Sequence, residues 1–215
     1  MRVKRAIVGD LITQGFQPGD HLTIEMLTAR YNVSHMPIRE ALRQLQGEGI
    51  LVSLAHKGFR IEALSARYIR NMYDIRAGLE SMLAHRAAEK ASAGDLEEIR
   101  TLHDKYAEAV RADNVAVSVP LNISFHDRIY AVADNPEAVQ LLAARTLIVR
   151  TAAQSLDAYI PDDRRPIIRE HASILDALVS ADAGRCSRAV FDHLSNARDR
   201  LLGRMVKAGL LGERE

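Results

Sequence analysis

Tryptophan is absent from the chain, cysteine occurs once, and aromatic residues fill only 5% of its 215 positions. A single cysteine, Cys186, excludes an internal disulfide framework and suits a reducing compartment, so a cytoplasmic protein is expected. Nothing near Cys186 suggests an activated thiol, and it reads as a core or half-buried residue. No apolar run reaches the roughly 18–20 residues that span a bilayer, so no membrane partner is expected. Arg2, Lys4 and Arg5 stand near the start, but neither an apolar stretch nor a cleavage site follows, and export is not expected. Charge of one sign is missing too. A net charge of +1 gives no protein-wide field to draw nucleic acid, so any basic surface must be local.

What is present is the composition of a globular protein, with 47% apolar and 27% charged residues. The length admits one large domain or two small ones. Alanine, leucine and arginine are abundant, and strand-forming runs are scarce outside residues 50–62. The expected fold is mainly α.

The chain is organised around the stretch from Val33 to Leu45. Ile38, Ala41, Leu42 and Leu45 fall at i, i+3, i+4 and i+7, one buried stripe of an amphipathic helix. Ser34 occupies the N-cap position and Pro37 the first turn, where its missing N–H costs nothing. Met36, Arg39 and Arg43 are left facing outward, close to a helix N-terminus that favours anions. Before this helix, Val3 to Gly15 predicts a first helix and Thr23 to Asn32 a second, ended by Asn32. After it, Ile50 to Leu54 and Phe59 to Ile61 predict a two-stranded hairpin turning at Gly58, with His56 and Lys57 at its tip. Three helices and such a hairpin make a winged helix-turn-helix, whose third helix lies in the major groove while the wing tip touches phosphate or the minor groove.

The pieces Gln17-Pro18-Gly19-Asp20-His21-Leu22, Val33-Ser34, Pro37-Ile38-Arg39-Glu40-Ala41-Leu42, Gly49-Ile50 and Gly58-Phe59 together resemble the DNA-binding domain of GntR-type regulators. The resemblance implies that Ser34, His35, Met36, Arg39 and the wing around Gly58 face DNA. Members commonly carry arginine where this chain has His35 and threonine where it has Met36. Arginine grips guanine with two hydrogen bonds and histidine with at most one, so the operator preference is expected to differ.

Beyond a short linker, six helices are expected at about 67–91, 94–113, 115–133, 136–157, 163–181 and 184–207. The expected organisation is a winged helix over residues 1–62, a linker over 63–67, an all-helical bundle over 68–207 and a tail over 208–215. Asn122 and His126 share a face of one helix, while His171 and His193 sit among apolar positions of two others. Three inward histidines suit a divalent metal. From spacing alone the favoured reading is three separate histidines with ordinary hydrogen bonds, because residues so far apart in sequence form no local motif.

Asn122 to His126, Ala133-Asp134-Asn135-Pro136, Glu170-His171 with Ile174 and Ala177, and His193-Leu194 resemble the helical effector domain, FCD, of the FadR-like branch. That domain typically binds a divalent metal through one acidic residue and three histidines, and the metal expected here is Zn or Ni. His126, His171 and His193 fall on the histidine positions, and Asn122 stands where aspartate is usual. A carboxamide leaves the dipositive charge of the ion uncompensated, which favours a small carboxylate as effector. Arg76 matches a position near the family's ligand pocket, where it would clamp that carboxylate. Its other reading is a salt bridge to Glu80 one turn on. Arg150 and Asn196 are further pocket candidates.

The reading that follows is an effector-responsive regulator of operator DNA, a homodimer and a repressor rather than an enzyme. Two alternatives remain at this stage. One is a metal-dependent enzyme using the histidines, against which Glu170 and Asp192 are expected to point to other faces. The other is an effectorless dimeric DNA-binding protein.

Overall fold

A computed structural model describes residues 2–12, 16, 19–47, 49–54, 57–61, 65–157, 162–209 and 211. The chain divides into two compact units, Met1–Ile69 with Ala144–Pro161 and Met205–Glu215, and Arg70–Ala143 with Asp162–Arg204.

In the first unit α1 (Arg2–Ile12), α2 (Ile24–Tyr31) and α3 (His35–Gly47) are followed by β2 (Leu51–Leu54) and β3 (Gly58–Ile61). Thr23 caps α2 by accepting from the Met26 amide at 3.2 Å, and Asn32 ends it in the left-handed region at φ 51°. The buried stripe of α3 is Ile38, Ala41, Leu42 and Leu45, as its periodicity requires. These side chains meet Ile7 of α1, Leu27 of α2 and the wing residues Leu51 and Ile61 in one core. Each fully buried leucine or isoleucine there stabilises the fold by about 1.5–3 kcal/mol. Asp10 fastens α1 to α2, accepting from Arg30 Nε at 2.5 Å and Tyr31 Oη at 2.7 Å.

The wing has three strands instead of the expected two. β1 (His21–Leu22) pairs antiparallel with β3, giving the order β1-β3-β2. Two residues carry no periodicity that a sequence pattern could register, and only the partner strand makes them β. Gly58 is required twice over. Its φ is +86°, and a Cβ there would stand 2.7 Å from the Leu22 carbonyl oxygen of β1. The Ala55–His56 tip lies outside the described residues.

α4 (Ala66–Lys90), α5 (Ala93–Arg111), α6 (Val115–Val132), α7 (Pro136–Asp157), α8 (Arg165–Val179) and α9 (Ala183–Lys207) are the six helices expected. α4 begins at Ala66 because Ser65 Oγ accepts from the Tyr68 amide at 3.1 Å, so the last two residues of the expected linker are helical. A Ser92–Asp95 capping box starts α5 and Asn114 caps α6. The break between α8 and α9 falls earlier than the Ala183-Gly184 signal suggested. Ala181 takes the left-handed conformation at φ 52°, Asp182 Oδ1 accepts from the Arg185 amide at 2.9 Å, and Gly184 lies inside α9. In the second unit α5 packs on α6 and α8, with Ile99, Phe125, Ile129, Ile174 and Leu194 in the interior. Arg128 of α6 reaches Asp95 and Glu98 of α5 at 2.5 Å each.

Candidate functional site

The stripe that buries α3 dictates which residues it offers outward. Ser34, His35, Met36, Arg39 and Arg43 are all exposed, as is Lys57 of the wing. Met36 is 73% exposed, an apolar side chain on the face opposite the core of its own helix. Gly58 is half-buried and acts through its backbone, as the approach of Leu22 shows. His56 lies outside the described residues.

In the second unit α6, α8 and α9 bring His126, His171 and His193 together. One ring nitrogen from each lies within 4.8 Å of the others, and all three side chains are buried. The rings of His126 and His193 lie 4.9 Å apart and nearly parallel, while His171 stands edge-on to His126. His171 packs against Phe125, stacked at 4.3 Å, and against Tyr106, tilted at 5.0 Å.

Two of the histidines are held from behind. His193 Nδ1 is 2.7 Å from Glu170 Oε2. Glu170 also accepts from Asn196 Nδ2 at 3.1 Å and from both terminal nitrogens of Arg200, at 2.8 and 3.2 Å. Burial alone would raise the Glu170 pKa, but the bonds from His193 and Arg200 outweigh it and bring it down to about 2. On the other flank His126 Nδ1 lies 3.2 Å from Tyr130 Oη, and that hydroxyl donates to Glu80. Glu80 accepts from Arg76 Nε at 2.7 Å, and Arg76 in turn lies over the Tyr73 ring. Burial works against the Arg76 charge, but Glu80 and Tyr73 outweigh it and raise its pKa.

His171 has no such support. It is fully buried, and neither ring nitrogen has a hydrogen-bond partner. Burial, and then the neighbouring His126 and His193, hold it well below the ordinary histidine pKa, so the ring is neutral. Asn122 Oδ1 and Tyr106 Oη are likewise buried without a partner. A neutral imidazole with an orphaned lone pair, two further histidines converging on it and a partnerless carboxamide oxygen are donors that suit a divalent cation. The residues fit the ion.

Each expected site residue can now be placed. His126, His171 and His193 converge, and Asn122 lies one turn before His126 on α6 with its oxygen unsatisfied. Arg76 is engaged by Glu80, the second of the two readings open to it, and Asn196 donates to Glu170. Arg150 lies on α7, and its side chain is outside the described residues. The expectation that Glu170 points away from the histidines is corrected. Its side chain reaches across to α9, where His193, Asn196 and Arg200 stand at i, i+3 and i+7 on one face. That shared face was the available signal. Tyr130 was also discoverable, one turn after His126; Tyr106 had no signal beyond an apolar-stripe position.

Comparison with known proteins gives two family matches, the FCD domain over residues 71–196 and the bacterial regulatory proteins of the gntR family over residues 1–61. The Nta operon transcriptional regulator of Aminobacter aminovorans is 28% identical over 193 residues, covering 89% of each chain. The HTH-type transcriptional repressor GlaR of Escherichia coli (strain K12) is 28% identical over 202 residues, covering 88% of this chain and 90% of GlaR. Among solved structures, E. coli McbR/YncC superposes with a TM-score of 0.75 at 22% identity, covering 94% of this chain and 97% of that one, a likeness of fold.

Proposed function

Because the chain belongs to the gntR family of bacterial regulatory proteins and carries an FCD domain behind its DNA-binding domain, we propose that it is a metal-dependent, organic-acid-responsive repressor. That it is a DNA-binding transcriptional regulator follows from the family, and the enzyme alternative is set aside on the same ground. Repressors occur among its relatives. Among the described residues no helix is long and apolar enough to cross a membrane. Operator binding then places its work in the cytoplasm.

The observation that carries the finer reading is the buried cluster around His171, whose two nitrogens have no partner in the protein. His126, His171 and His193, with Asn122 Oδ1, hold a divalent ion, Zn or Ni. When bound, the ion supplies a Lewis-acidic point of attachment for an anion. None of the four donors carries charge, so its two positive charges are left for the ligand to offset, and a small carboxylate does this best. Tyr106 Oη, buried and partnerless on a ring tilted against His171, offers the carboxylate a hydrogen bond. Arg76 and Asn196 act at one remove, by holding Glu80 and Glu170. Operator DNA is gripped by two copies in a homodimer. Ser34, His35, Met36, Arg39 and Arg43 lie in the major groove, and Lys57 sits at the wing.

Protein purified without chelator is expected to hold about one divalent ion per chain, and the His171→Ala variant none. Small organic acids should raise the melting temperature only of the metal-loaded protein and should release operator DNA. Metal-free wild-type protein, or equal acid responses with and without metal, rejects the reading.

A further inference from the structure

We propose that Glu80, acting through Tyr130, and Glu170, acting directly, are positioning residues. They fix His126 and His193 in the tautomer that carries its proton on Nδ1 and presents Nε2 to the centre. The assignment follows from counting protons. A carboxylate only accepts, so the Glu170–His193 contact at 2.7 Å requires a proton on His193 Nδ1. On the other flank the Tyr130 hydroxyl spends its hydrogen on Glu80. Its oxygen is left as the acceptor, and the 3.2 Å contact requires a proton on His126 Nδ1. Neutral imidazole protonated on Nδ1 has its lone pair on Nε2, so both rings face the centre as donors of the same kind.

Each carboxylate is itself braced by a guanidinium, Glu80 by Arg76 and Glu170 by Arg200, so neither is left as an uncompensated charge in the interior. The two chains of bonds reach the cluster from different helices, α4 and α8, and serve different rings. His171 is fixed by stacking instead, and its tautomer is left to whatever binds. Such outer partners orient ligands and raise their basicity, and losing one costs about 10–100-fold in metal affinity.

This inference rests on the metal reading for its purpose, but it is tested first without metal. Wild-type protein with 15N-labelled histidine, stripped of metal and held at about pH 8, should show His126 and His193 both protonated on Nδ1. A proton on Nε2 of either ring overturns the proposal whatever the metal experiments give. Tyr130→Phe should release only His126 from that tautomer and Glu170→Ala only His193, each leaving the other ring unchanged. In competition with a fluorescent indicator, each variant should bind Zn2+ about 10–100-fold more weakly than wild type. Variants with unchanged tautomers, or with unchanged Zn2+ affinity while wild type binds tightly, overturn it. Should a variant fail to fold, the wild-type spectrum still decides the tautomers.

Discussion

His171 sends two ring nitrogens into the interior and the protein meets neither, at a cost of about 1–3 kcal/mol for each unsatisfied group. Its ring neighbours Phe125 and Tyr106 hold it by aromatic contact rather than by hydrogen bonds. An imidazole left so costs stability that a bound ion would restore, which is what the proposed metal site requires of His171. Asn122 repeats the pattern with one orphaned oxygen. Asn122→Asp should bind Zn2+ more tightly, by about tenfold or more, because a carboxylate removes one of two uncompensated charges. The same change should weaken the response to organic acids. Isothermal titration of metal and acid into both proteins measures the trade, and tighter binding of both ligands would separate the effector from the charge of the ion.

At the scale of elements, the helix ends are where local chemistry is most exposed to test. Ala181 occupies a left-handed position between α8 and α9, where its Cβ crowds the backbone. Ala181→Gly should stabilise the protein by about 1 kcal/mol, read as a higher midpoint in urea with an unchanged slope. No gain would mean that the added chain entropy of glycine cancels the relief. Helices were legible because each carries its own signal: α3 advertises a stripe at 38, 41, 42 and 45, and α5 its Ser92–Asp95 box. β1 was not legible, since His21 and Leu22 form a strand only because β3 lies alongside. The site divides in the same way. Three histidines and Asn122 could be named from motifs, whereas the role of Glu170 depends on α9 presenting three partners to it across a helix interface.

At the scale of the whole molecule, a net charge of +1 means that DNA affinity depends on a few placed cations. Arg39 is exposed on the outer face of α3 and lies in the first unit, while the histidine cluster lies entirely in the second. Arg39→Ala should abolish specific operator binding in a gel-shift assay while metal uptake and acid-dependent melting stay at wild-type values. Unchanged operator affinity would mean that another face of α3 meets the groove. The pairing of β1 with β3 also bears on attempts to exchange parts between regulators. The wing is stitched to the segment before α2 by Gly19 N to Ile61 O at 3.0 Å and Ile61 N to Asp20 O at 2.9 Å, as well as by the ladder itself. A graft that moves only residues 51–61 would therefore leave an open sheet edge in the host, and a working transplant must carry residues 19–22 as its third strip.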